Sequence, residues 1–321
     1  MTISAYPKGF PNGVSIRGVP IVQTHPGKAF WLSNNTTGLL PGQRGGSDAN
    51  RGTFDAPFST LAGAVAQCVA SRGDVIFVKP GHTETISSST ALTMSVAGVA
   101  VVGLGIGSMR PKFTIDTANT ATINVTAANV SFLNCQIIGN FLSIAAAFTL
   151  TTAKWFTLEN CYVADTSGVL NFLNVIKSTG AANTVDGLAA INNVWAGLGT
   201  TSVNSFILSA NDIDSAVWKG NSITLQRTAT AAILATITAG VLSNLDCGFN
   251  KVYSKATATT GGGLISVGGT TSTGCVYNNY QQTLGTATDI LFTTSVGLGA
   301  FENRVSGVVG ATGFVIPAVD S

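Results

Sequence analysis

An asparagine set among short apolar runs returns through most of the chain, and a repeat of this kind limits the fold before any other property is weighed. It appears as Val130-Ser131-Phe132-Leu133-Asn134-Cys135, Phe156-Thr157-Leu158-Glu159-Asn160-Cys161, Ala189-Ala190-Ile191-Asn192-Asn193-Val194 and Val217-Trp218-Lys219-Gly220-Asn221-Ser222. Looser versions surround Asn250, Asn279 and Asn303. The steps from Asn134 to Asn303 are 26, 33, 28, 29, 29 and 24 residues, the spacing of stacked supersecondary units.

Each phrase is preceded by a second β-like run, such as Ala121-Thr122-Ile123-Asn124-Val125, Phe148-Thr149-Leu150 or Leu264-Ile265-Ser266-Val267. A coil therefore holds at least two strands. No amphipathic helix separates them, so βαβ units and helical repeats do not fit, whereas strand stacking along one axis does. The expected fold is all-β, a parallel β-helix solenoid of about eight coils of roughly 28 residues. Asparagine suits the turns of such a stack, because its side-chain amide can bond the amides above and below. Asn134, Asn160, Asn193, Asn221, Asn250, Asn279 and Asn303 are expected to form one structural ladder, with Cys135 and Cys161 stacked in adjacent coils.

An open solenoid end exposes strand edges and needs a cap. After the turn-rich stretch from Gly45 to Gly52, residues Leu61, Val65, Cys68 and Val69 are spaced as one face of a helix. Ser59 or Thr60 is its expected N-cap and Gly73 its stop. Asp74 to His82 then reads as the first strand and its turn, with His82 at the surface.

Three phrases stand together here: Gly46-Ser47-Asp48-Ala49-Asn50-Arg51-Gly52-Thr53, Pro57-Phe58-Ser59-Thr60-Leu61 and Gly73-Asp74-Val75-Ile76-Phe77-Val78-Lys79-Pro80-Gly81-His82. They resemble the opening of right-handed parallel β-helix proteins of the pectate-lyase-like superfamily, especially phage and prophage members. The resemblance covers about residues 45 to 310 and implies a right-handed solenoid; the repeat alone assigns no hand.

The chain divides into an extended N-terminal arm (1–44), the cap helix and opening of the β-helix (45–82) and the parallel β-helix itself (83–321). The arm is rich in Gly and Pro, cannot build a core of its own, and is expected to dock on a partner or another subunit. Phe10, Val14, Ile16, Val19, Ile21, Phe30 and Trp31 are its candidate contacts. It resembles N-terminal segments of proteins encoded near phage capsid genes.

Charged residues make up 9% of the chain and the formal net charge is +2. With no basic cluster, this argues against nucleic acid as a partner. The longest apolar stretch, Val96 to Ile106, is broken by Gly98, Gly103 and Gly105 and falls short of the roughly 18 to 20 residues of a spanning helix, so no membrane insertion is expected. No signal-peptide pattern opens the chain, and synthesis in a host cytoplasm is expected. Cys68, Cys135, Cys161, Cys247 and Cys275 form no metal or redox spacing and read as small buried apolar side chains.

Glycoside hydrolysis needs carboxylates facing each other across a bond, and lyases of this superfamily need acidic calcium ligands with a base. The chain has only 14 Asp and Glu. Asp212 and Asp214 are the best acidic pair, since on a strand they face one side, but they read as turn-forming residues first. His82 near Glu84 could move a proton, and His25 sits in the arm. Trp155, Trp195 and Trp218 could line a sugar groove but fit core or subunit contact better. No catalytic constellation, metal or cofactor is expected.

The resulting expectation is a phage virion structural protein, a capsid decoration or cement protein docking on the head through its arm. Its partners would be the major capsid protein or other virion proteins, and the resemblance implies a homo-oligomer, with a trimer favoured. The alternative is a tailspike-like protein that binds or degrades polysaccharide. It would need converging carboxylates, and the chain's end after Phe314-Val315-Ile316-Pro317, with no separate trimerisation region, counts against it. A bacterial adhesin is a third reading, disfavoured by the missing export signal.

Overall fold

The computed structural model describes residues 15–16, 19–20, 27–39, 41–200, 205–226, 233–254, 263–269, 271–283, 290–293, 297–306 and 316–317. It is an all-β parallel solenoid with almost no helix. Three sheets run its length. The first holds ten parallel strands, from Ala29–Leu32 and Val75–Val78 to Leu298–Phe301. The second runs from Thr83–Ile86 to Arg304–Ser306, with Ile316–Pro317 pairing antiparallel at its end. The third holds eight strands, from Leu92–Met94 to Ile290–Thr293, so the chain makes about seven turns between its first and last rungs.

Alternation within each strand decides which side chains enter the core. In Lys112–Ile115, Phe113 and Ile115 are buried while Lys112 and Thr114 face outward, and Val75–Val78 and Gln136–Gly139 repeat the pattern. Because neighbours are paired in register one coil apart, like positions form columns. Phe132, Phe148 and Phe156 meet at centroid distances of 5.1 to 6.5 Å, and Trp195 and Trp218 are wholly buried further along.

The corner between the first and second sheets contains two asparagine columns, where the sequence suggests one. Asn193, Asn221, Asn250, Asn279 and Asn303 form the buried ladder, each Nδ2 donating to the next Oδ1 at 2.9 to 3.0 Å. Each Oδ1 also accepts the backbone N–H of the coil before it, as Asn221 Oδ1 does from Asn193 N at 3.1 Å. Asn134 and Asn160 do not belong to this ladder. They lie one residue earlier, in a column with Asn192, Gly220, Phe249, Asn278 and Glu302 whose φ values are all between 51° and 67°. The inward position in their coils is held by Cys135 and Cys161. Cys161 Sγ lies 3.6 Å from Phe132 O, the carbonyl a ladder amide would take, and Cys135 N lies 3.5 Å from Cys161 Sγ. A thiol thus ends a ladder that an amide continues.

Three further expectations are corrected. The strand Ala29–Leu32 is a rung of the first sheet, so Phe30 and Trp31 belong to the solenoid body rather than to an arm. Phe30 is buried, and Trp31 packs on Phe77 and Phe54 at 5.2 and 4.9 Å. Of the other arm residues, Ile16 and Val19 lie in a short antiparallel pair, and Phe10, Val14 and Ile21, like His25, fall outside the described residues. The helix is only Leu61–Val65, N-capped by Thr60, and lies beside Ala29–Leu32 and Leu92–Met94. Cys68 and Val69 lie beyond it: Gln67 and Cys68 N–H bond the carbonyls three residues back, Ala64 and Val65, and the Asp74 carboxylate then accepts Val69 N–H at 2.8 Å. All five cysteines are free, and Cys275 is exposed rather than buried. Among the described residues no helix is long and apolar enough to cross a membrane.

Candidate functional site

His82 is wholly buried, not on a surface turn. Its Nδ1 accepts the Asn34 amide at 3.1 Å, which leaves Nε2 to donate to Glu84 at 3.2 Å. Glu84 in turn accepts Leu61 N–H at 2.9 Å, at the start of the helix. The pair ties three segments together beside a recess of about 500 Å³ lined by Asn34, Ser59, Thr60, Thr83 and Glu84. Both ring nitrogens are occupied, so the imidazole is committed to structure in this arrangement.

Asp212 and Asp214 flank the buried Ile213. Asp212 Oδ1 accepts Val241 N–H from the next coil at 2.7 Å, and Asp214 Oδ1 accepts the Ser215 hydroxyl at 3.2 Å. Their neighbour Asp186 accepts Asp214 N–H at 3.0 Å and pairs with Lys154 at 3.0 Å. Asp212 and Asp186 are coil-to-coil braces, whereas the Asp214 carboxylate closes its own turn. Among the described residues no group of three or more His, Cys, Asp or Glu is placed to hold a metal ion.

Sequence reasoning missed Asp165. Nearly buried, it accepts Phe172 N–H at 2.9 Å and Leu198 N–H at 2.7 Å, so one carboxylate binds loops of two successive coils. Burial outweighs these bonds and pushes its carboxyl up to about 6. Nothing in the local phrase Val163-Ala164-Asp165-Thr166 signals this, because the second loop arrives a coil later.

Trp195 and Trp218 are core residues, but Trp155 is 54% exposed. It has φ +60°, a left-handed conformation that bulky residues avoid, and its ring rests on Gly187, where a Cβ would come within 2.1 Å. The Lys154–Asp186 pair lies beside it.

The largest concentration of unusual surface is elsewhere. Twelve large hydrophobic side chains are exposed among the described residues, and six lie along one line, the corner joining the first sheet to the second: Ile106, Met109, Val194, Phe249, Tyr280 and Phe301. Ile106 is 82% exposed. Phe249 takes, at φ +60°, the left-handed turn position filled in other coils by Asn, Gly or, in the last, Glu302. Its ring meets Tyr277 edge-on at 5.5 Å, and Tyr277 stacks on Phe301 at 5.2 Å. These residues lie at one corner from the second coil to the last, an apolar edge interrupted by Lys112, Glu159, Lys219, Lys251 and Arg304 in the same columns.

No family model matches the chain, and no curated protein does. Among solved structures, a rhamnogalacturonan lyase aligns with 88% of this chain and 90% of its own, at 13% identity and a TM-score of 0.46. A GH136 lacto-N-biosidase from Eubacterium ramulus aligns with 88% of this chain and 68% of its own, at 10% identity and a TM-score of 0.28. This chain is a parallel β-solenoid. Likeness at these levels says nothing of its chemistry.

Proposed function

We propose that the chain is a non-catalytic structural protein of a phage virion, a decoration or cement protein whose rigid solenoid docks on the major capsid protein or another virion protein. The observation that carries the reading is the apolar edge. Exposed apolar side chains gathered at one corner and mixed with lysines and an arginine, with a phenylalanine held in a strained turn, suit a contact surface better than an isolated surface. The phage setting is supported by the resemblance of residues 45 to 82, and the docking line extends the arm reading to the solenoid body. Co-sedimentation with heads of the encoding phage tests it. The wild-type chain is expected to pellet with heads, and Ile106→Asp with Phe249→Asn to stay in the supernatant while keeping its melting temperature. Equal pelleting of both proteins overturns the edge as the docking surface.

Trp155 favours a second reading, binding of a neutral or acidic glycan by a tailspike-like protein. An exposed indole on a glycine seat, with a carboxylate and an ammonium beside it, offers a flat apolar face rimmed by hydrogen-bonding groups. Retention on host surface polysaccharide, abolished by Trp155→Ala, would select this reading. No retention would dismiss it.

A further inference from the structure

We propose that Arg110 is the centre of a binding site for a small oxyanion group, a carboxylate or a phosphate. Eight residues, Leu104 to Pro111, link the strands Ala100–Gly103 and Lys112–Ile115, where two, Asn134 and Cys135, suffice in the next coil. The solenoid turn does not need this insertion. It closes one side of a cavity of about 300 Å³ lined by Gly107, Ser108, Arg110, Gln136 and Tyr162.

The polar groups around this cavity do not satisfy one another. Arg110 is half-buried and its Nε has no hydrogen-bond partner, while the exposed Ser108 and the partly exposed Gln136 and Tyr162 side chains have no protein partner among the described residues and face solvent. The ion pairs of the described residues are Arg72–Asp74, His82–Glu84, Lys154–Asp186 and Lys219–Asp246, so no carboxylate answers the Arg110 charge. Lys112 stands one coil from Gln136 in register and adds a second positive charge nearby.

Arg110 is half-buried at the cavity wall, with a guanidinium that no carboxylate of the described residues pairs, so its donors are available to an acceptor that enters the cavity. The group that suits this wall accepts hydrogen bonds and carries negative charge. A guanidinium fork matches the paired oxygens of a carboxylate or phosphate, while the Ser108 and Tyr162 hydroxyls and the Gln136 amide can donate to the remaining lone pairs. A cation would be repelled by Arg110 and Lys112, and a neutral ligand would not pair the guanidinium charge.

The test follows the Arg110 Nε–H signal in nitrogen–proton NMR spectra of the full chain, assigned by its loss in Arg110→Lys. Sodium phosphate and sodium acetate are titrated separately, with sodium chloride at matched ionic strength as control. The signal is expected to shift saturably with phosphate, acetate or both, identifying the preferred group. Gln136→Ala and Tyr162→Phe should each weaken the response several-fold. A shift that merely tracks ionic strength, or that Arg51 and Arg304 share equally, overturns the proposal. Thermal melting supplies the second readout. Arg110→Met should melt no lower than wild type in anion-free buffer and lose any stabilisation by the anion, whereas a melting point lowered regardless of anion would make Arg110 a structural residue and sink the site.

Discussion

Asn221 accepts from both the backbone and the side chain of Asn193 and donates to Ala190 O at 2.8 Å and Asn250 Oδ1 at 2.9 Å, all without access to water. Asn221→Ala strands buried groups in two neighbouring coils and should cost about 2–4 kcal/mol, measurable by urea unfolding. Gly187→Ala should also destabilise the fold and displace Trp155, because its φ is +72° and the added Cβ would enter the indole. Asp165 gives a pH signature. Its folded carboxyl, raised by burial to about 6 from an ordinary 3.8, binds a proton more tightly than the unfolded chain does. Stability should therefore rise as pH falls from about 6 to 4, by up to roughly 2–3 kcal/mol, and Asp165→Asn should flatten that rise. The asparagine repeat was legible, but its register was not. Asn134-Cys135 and Asn160-Cys161 align with Asn193 only if the doublet Asn192-Asn193 is read at its second member, and sequence spacing cannot distinguish columns one residue apart. The doublets were the available signal, since they place an asparagine in both columns.

Elements repeat that lesson in terms of distance. The strands were legible because alternation is local, whereas the helix tightened into bonds three residues back at Gln67 and Cys68, and the chain beyond it is held by the distant Asp74 carboxylate at Val69 N–H. His82 was misplaced because its burial depends on Asn34 and on Phe113, whose ring lies 5.8 Å away. The Leu104–Pro111 insertion was visible only as glycines in an apolar run, and its exposed Ile106 and Met109 became meaningful once the corner they occupy was known. Because both are exposed, Ile106→Asp and Met109→Asp should leave unfolding free energy within about 0.5 kcal/mol of wild type while weakening particle binding. A large loss of stability would show instead that the insertion is part of the core.

Across the molecule, about seven turns at one strand spacing per turn make a rod of roughly 35 Å between its first and last rungs, built almost wholly from parallel neighbours. Such a body is stiff along its axis and brings exposed apolar side chains from several coils to one corner, so a contact line can form without a concave site. Trimer formation is a proposal at this scale, with sedimentation equilibrium expected to give three times the chain mass and a monomer mass contradicting it. Docking through the apolar edge is tested most directly by hydroxyl-radical footprinting of the chain free and bound to the virus particle. Met109, Phe249, Tyr280 and Phe301 are expected to lose reactivity on the particle while exposed Trp155 keeps its own. Unchanged oxidation of those four residues, or protection confined to Trp155, would contradict docking through that edge.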